Sequence, residues 1–160
     1  SRSRHRRSGA GARADHPYRG PRARRHRCAD PGCAIEIWQC DATGIYRHPR
    51  DTGWFRNRDG RFQGRGRDTA DAKGGYRFRT IKPVAYPGRT PHIHFAITAP
   101  GREPLVTQMY VAGEAQNERD GILNGIRDQR QRDSVIVALQ PGDGLEPQAL
   151  VGTFDILLAG

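Results

Sequence analysis

The feature that most constrains this chain is a series of short runs in which apolar and polar residues alternate, each cut short by glycine or proline. Residues two apart share a face in a strand, so such runs can bury one side of a sheet and are wrongly spaced for a helical stripe. Ile35 and Ile37 alternate with Glu36 and Trp38, which places Trp38 on the opposite face, and Asp41–Gly44 supplies turn chemistry before Tyr46. Tyr76, Phe78 and Thr80 alternate with Arg77, Arg79 and Ile81 after the Gly74-Gly75 turn. Pro91 can begin a strand but cannot sit inside a central one, so His92–Ile97 reads as a strand starting at His92. Leu105–Val111 is another alternating run, and Ser134–Leu139 and Gly152–Leu158 read as closing strands. Between them, Arg47–Asp71 is glycine-rich and aperiodic and reads as a long irregular loop. The one helical candidate lies within Asn117–Arg132, where Ile122, Leu123 and Ile126 form a thin stripe. Six or seven short strands predict an all-β fold, an antiparallel β-sandwich with long loops and at most one short helix.

Composition divides the chain. Its 160 residues fit one domain with a single core. Residues 1–33 hold ten arginines and two aspartates, a net charge of +8, whereas residues 34–160 carry only +2 of the total of +10. The arginine-rich segment has no apolar period and is expected to be disordered on its own, with the folded core spanning residues 34–160. One explanation is a basic tail that contacts nucleic-acid phosphates. The favoured one is a coding region read out of frame. Shifted by one base, His26–Asp30 admits strings such as Ile-Asp-Ala-Arg-Ile, which have strand character. No run of eighteen apolar residues exists, so no membrane-spanning helix is expected, and the first residues lack the apolar stretch of a secretion signal. Cys28, Cys33 and Cys40 are odd in number and close no four-ligand zinc site, so a disulfide framework is not expected and Cys40 is read as packing beside Trp38.

The sharpest local feature is His92-x-His94. Both imidazoles project from one face of a strand and can meet at one metal ion, although two such histidines are more often satisfied by backbone or water. Tyr46, Tyr86 and Arg89 keep them company. Gly64-x-Gly66 lacks the helix start and the Lys-Ser/Thr of a phosphate cradle and is set aside.

Taken in order, Ile35–Tyr46, Phe62-x-Gly64-x-Gly66-Arg67, Gly75–Pro83, Tyr86–Phe95, Thr107–Tyr110 and Phe154–Leu158 resemble the intradiol ring-cleavage dioxygenases, the catechol and protocatechuate 3,4-dioxygenase group, over about residues 34–160. The resemblance implies that Tyr46 and Tyr86 match two tyrosinate ligands of a non-haem Fe(III), and His92 and His94 its two histidine ligands. A phenol titrates near 10, so it is a phenolate at neutral pH only beside a strong cation, and a hard trivalent ion suits anionic oxygen. No carboxylate matches a ligand position, unlike the two-histidine, one-carboxylate sites of Fe(II) oxygenases.

The same resemblance implies a reaction. A catechol-type diol bound through both oxygens becomes reactive toward O2 and opens between its two hydroxyl carbons to a muconate-type diacid. Tyr86 corresponds to the ligand that gives way to substrate and takes up a proton, Arg89 to a residue that stabilises negative charge on the ring, and Gln108 to a polar residue lining the pocket. On their own, Arg89 reads as a solvated arginine, Gln108 as a strand residue bonding a loop, and Trp38, Tyr76 and Phe78 as core aromatics. The expected partners are an aromatic diol and O2, in a homo-oligomer, with no membrane and no nucleic acid. The alternatives are a degenerate relative acting as a binding module and a basic-tailed nucleic-acid binder. Substrate and localisation are left open.

Overall fold

A computed structural model describes residues 26–28, 30–46 and 61–158. In chain order the strands are β1 (His26–Arg27), β2 (Ala34–Trp38), β3 (Arg65–Thr69), β4 (Gly75–Tyr76), β5 (His92–Thr98), β6 (Leu105–Val111), β7 (Ile136–Val137), β8 (Gln140–Pro141) and β9 (Leu150–Val151). A 3-10 turn (Ala115–Glu118) and two short helices, α1 (Gly121–Gly125) and α2 (Gln129–Ser134), lie between β6 and β7. A five-stranded sheet runs β3-β2-β5-β6-β7, with two-stranded sheets β1-β4 and β8-β9 beside it. The protein is therefore sheet-rich with few short helices.

Register explains how the alternating runs are used. Ile37 pairs with Phe95, Ile35 with Ile97, and Ile93 with Met109, so these six share one face and are buried. Tyr76, Phe154 and Ile156 pack over them, with the Phe95 and Phe154 rings 4.9 Å apart. Trp38 pairs with His94, His94 with Gln108, and His92 with Tyr110, which puts these five on the opposite face.

Several expectations change. The sheet is mixed rather than wholly antiparallel, because the chain crosses back through the helices and β7 joins β6 in parallel. The single helical candidate is two helices. Asp120 accepts from the amides of Ile122 and Leu123, Asp128 accepts from that of Gln131, and Ile126 between them is extended at φ −74°, ψ 100°. The stretch read as one long loop contains β3, which pairs along all of β2. Its sequence, Arg-Gly-Arg-Asp-Thr, carries no apolar period because it is an edge strand. Residues 47–60 of that stretch lie outside the described residues. The run from Tyr76 to Thr80 keeps only Gly75–Tyr76 as strand, Ser134 closes α2 instead of opening a strand, and Gly152–Leu158 contributes a single bridge from Ile156 to Cys28.

The cysteine reading is corrected as well. Cys28 and Cys33 form a disulfide, with Cα atoms 7.0 Å apart. A turn through Gly32 (φ 77°) reverses the chain between them, while Cys28 donates its amide to Gly74 and Gly32 donates to Ala70. Gly74, at φ 75°, approaches so closely that a Cβ there would meet the Cys28 carbonyl oxygen at 2.2 Å. Residues 26–28 and 30–33, taken with the arginine-rich segment on composition, thus carry β1 and the buried disulfide. Residues 1–25, with the expectation of disorder placed on them, lie outside the described residues. Cys40 is a buried free thiol facing the Val84 carbonyl at 3.7 Å, and burial pushes it up.

Candidate metal centre

Two turns and one strand assemble the site. Past β2, Asp41 folds the chain on itself: its Oδ1 accepts from the Thr43 amide (2.9 Å), the Thr43 hydroxyl (2.6 Å) and the Ile45 amide (3.0 Å). Gly44 then passes the Tyr86 side chain, where a Cβ would sit 3.2 Å from the Tyr86 Cβ, so Tyr46 emerges beside Tyr86. The Pro87-Gly88 turn closes with the Arg89 amide on the Tyr86 carbonyl at 2.9 Å and returns the chain into β5. His92 and His94 follow on the sheet face away from the apolar core.

Three donor atoms meet there. The Tyr46 hydroxyl lies 3.3 Å from His92 Nε2 and 3.1 Å from His94 Nε2, and the two imidazole nitrogens are 3.2 Å apart. Ligand atoms roughly 2.0–2.1 Å from one ion lie about 3 Å from one another, so this triangle has the spacing of a metal's ligand set. His92 Nδ1 donates to the Thr90 carbonyl at 2.7 Å, which leaves the Nε2 lone pair facing the cluster. His94 is stacked flat on Trp38, with ring centroids 4.9 Å apart and planes 4° from parallel. The Tyr86 ring stands edge-on to Tyr46 at 5.6 Å and lies the same distance from His92.

Electrostatics favours a cation at this point. Burial lowers the pKa of both imidazoles, His94 to about 4 with help from His92 and Arg89, so both are neutral and in their ligating form. Burial, with the neighbouring Tyr86, pushes the Tyr46 phenol up, so this oxygen deprotonates only if a strong cation sits beside it. Among the described residues no three His, Cys, Asp or Glu side chains are placed to hold a metal, so a cation at this point would need the Tyr46 oxygen as a donor beside the two imidazoles. Two neutral imidazoles and a Tyr46 phenol that deprotonates only beside a strong cation fit a ferric ion.

A rim of polar bonds surrounds the triangle. Arg89, whose side chain is 15% exposed, donates Nε to Asp120 Oδ2 at 2.9 Å, Nη1 to the Tyr86 hydroxyl at 3.4 Å and Nη2 to Gln108 Oε1. Gln108 Oε1 also accepts from the Tyr110 hydroxyl at 2.9 Å. Burial alone would raise the Asp120 carboxyl, but the Leu123 and Thr90 amides and Arg89 more than offset it and hold it below the usual carboxylate range. Burial and the Asp120 charge push the Tyr110 phenol up to about 12.

All six residues singled out from the sequence, Tyr46, Tyr86, Arg89, His92, His94 and Gln108, are brought together. Four others in the site were not foreseen: Trp38, Thr90, Tyr110 and Asp120. Trp38, read as a core aromatic on the face opposite Ile35 and Ile37, pairs with and stacks on His94, so its assignment to the core is corrected. Tyr76 and Phe78 do pack on Phe95. Nothing in the sequence around Asp120 points to Arg89, 31 positions away. A separate cavity of about 590 Å³ lies on the apolar face, bounded by Phe78, Ile93, Phe95 and Phe154, and none of the triangle's donors lines it.

A protein-family model described as Dioxygenase matches residues 29–160. The chain is 40% identical over 134 residues to the protocatechuate 3,4-dioxygenase beta chain of Burkholderia cepacia, covering 79% of this chain and 56% of that one. It is 34% identical over 154 residues to hydroxyquinol 1,2-dioxygenase of Rhodococcus opacus, covering 81% and 48%. It thus spans about half the length of these relatives. Among solved structures it resembles the dioxygenase domain of a dioxygenase–carbohydrate-binding fusion from Streptomyces sp. SirexAA-E. The TM-score is 0.61 at 30% identity, covering 84% of this chain and 75% of that one.

Proposed function

The chain belongs to the intradiol ring-cleavage dioxygenase family, and from that premise we propose that it is a non-haem Fe(III) enzyme acting on a catechol-type diol. It uses O2 to open the ring between the two hydroxyl carbons, giving a muconate-type diacid that retains both oxygen atoms. The observation that carries this reading is the triangle of Tyr46, His92 and His94, with its tautomer set by Thr90 and a second phenol, Tyr86, at its edge. The residues that would hold iron are Tyr46, Tyr86, His92 and His94. Bound there, iron would supply the Lewis acidity that makes a diol ring reactive toward O2.

The rest of the chemistry belongs to the chain. His92 and His94 contribute neutral nitrogens from a rigid strand, so their positions do not relax as charge develops. Holding iron, Tyr86 would do so as a phenolate, and on giving way to substrate that oxygen, beside Arg89 Nη1, would take up a proton from the diol and become a neutral phenol. Arg89 keeps a fixed positive charge next to the site because three partners hold its guanidinium. Gln108, bridging Arg89 and Tyr110, lines the approach. The scaffold is read as a β-sandwich, with the two small sheets beside the apolar face of the large one.

The test is ferric reconstitution followed by oxygen uptake on catechol, protocatechuate, hydroxyquinol and a chlorinated catechol. Expected are a visible phenolate-to-iron band and one O2 consumed per diol cleaved. A protein that stays colourless after reconstitution and consumes no O2 with any of the four overturns the reading.

A further inference from the structure

Asp120 lies in no motif of the sequence and makes no hydrogen bond to the two phenols or the two imidazoles, yet its carboxylate accepts four hydrogen bonds beside the site. Its side chain is fully buried. Oδ1 accepts from the Ile122 and Leu123 amides, both at 3.0 Å, and Oδ2 accepts from Arg89 Nε at 2.9 Å and the Thr90 amide at 3.0 Å. Two consecutive residues of the loop entering β5 are therefore tied to one oxygen. Each leads into the site. Arg89 extends to Gln108 and to the Tyr86 hydroxyl. Thr90 turns its carbonyl to His92 Nδ1 at 2.7 Å, and its hydroxyl donates to Asn117 Oδ1 at 2.7 Å. Pro91, next in the chain, has no amide hydrogen to compete.

We propose that Asp120 is a positioning residue for ring cleavage, one carboxylate that fixes the Arg89 guanidinium and, through Thr90, the tautomer of His92. The role rests on reading the site as an intradiol centre. A helix cap alone needs only Oδ1, since any good capping side chain accepts from the first-turn amides. What a carboxylate adds is a second oxygen able to receive two further donors, Arg89 Nε and the Thr90 amide. An asparagine at this position can cap the helix with its carbonyl oxygen, but its NH2 then faces two donors. A serine can cap the helix and reaches neither. With Thr90 released, the His92 Nδ1 proton loses its acceptor, and the ring is free to take the Nε2–H form, whose lone pair points away from the other donors.

The experiment compares Asp120→Asn and Asp120→Ser with a control that removes a cap elsewhere, Asp128→Ala at the start of α2. Two readouts are used: kcat and KM of the iron-loaded enzyme, and the long-range 1H–15N NMR pattern of the His92 imidazole in the metal-free full chain. Both Asp120 variants should lower kcat by roughly 10- to 100-fold with a smaller change in KM, and should convert His92 from a pure Nδ1–H form to a mixture. Asp128→Ala should do neither. A His92 that stays wholly Nδ1-protonated in both variants overturns the proposal, whatever kcat does. If neither variant folds, the parent protein decides: a metal-free parent whose His92 is not protonated at Nδ1 also overturns it. If the parent cleaves no diol yet His92 changes tautomer in the variants, the ring-cleavage reading fails while the positioning role stands.

Discussion

The two faces of β5 are one peptide step apart and are used in opposite ways. Ile93, Phe95 and Ile97 sit in a cluster closed by Tyr76, Phe154 and Ile156, where each contributes by leaving water. His92 and His94 sit on the other face, where burial costs them their charge and leaves nitrogen lone pairs converging on the Tyr46 hydroxyl. The apolar face is what makes the polar one rigid, because the strand that it anchors cannot shift register without exchanging the faces. Neighbouring substitutions should therefore separate cleanly. Phe95→Ala leaves a hole among Tyr76, Phe78 and Phe154 and should lower unfolding free energy by about 3–5 kcal/mol in denaturant titration. His94→Ala should leave the fold standing, abolish ferric binding by metal analysis and take diol cleavage to background. If His94→Ala costs as much unfolding free energy as Phe95→Ala, the division between the faces is wrong.

Smaller changes probe the polar face alone. Arg89→Lys keeps the charge but gives up the planar fork that reaches Asp120, Gln108 and Tyr86 at once. We expect kcat/KM to fall by roughly 100-fold with little change in melting temperature. Parent-like kinetics would show that the guanidinium geometry is incidental. Trp38→Leu removes the ring on which His94 is stacked. It should weaken iron binding by roughly 10-fold, read by chelator competition, and unchanged affinity would return Trp38 to a purely packing role.

Legibility from the sequence followed the same division. The strands β2, β5 and β6 were visible because each buries one side and alternates, and the residues of the triangle were visible because their identities and spacing form a motif. What was hidden had no local signal. β3 pairs through its backbone with polar side chains on both sides, so periodicity could not reveal it. The Cys28–Cys33 bond accompanies a turn at Gly32 whose long-range hydrogen bonds run to Ala70 and Gly74, which no local pattern shows. Asp120 carries no local signal, because its partners Arg89 and Thr90 reach its carboxylate only through the fold. Alternation sets Trp38 opposite Ile35 and Ile37, but only the register with β5 brings His94 beside it, and an aromatic ring in a strand is more often packing than part of a site.

Acid should also tell the faces apart, with a smaller effect. In the metal-free protein burial pushes His94 down to about 4, with His92 and Arg89 adding repulsion, whereas in the unfolded chain an imidazole titrates near 6.5. Between those values the unfolded state binds a proton that the folded state refuses, so stability rises with pH across that interval. The contribution is fully present above about pH 6.5 and is lost as pH falls toward 4. His94 is only half-buried, so solvent screening keeps the loss well below that of a core cavity. Ile93 and Phe95 carry no titratable group and add nothing to this slope. Replacing the ring by one that cannot titrate, His94→Phe, should flatten the fall in unfolding free energy between pH 7 and pH 5, measured by urea titration of the metal-free protein. An equally steep fall in His94→Phe would place the acid sensitivity elsewhere in the molecule.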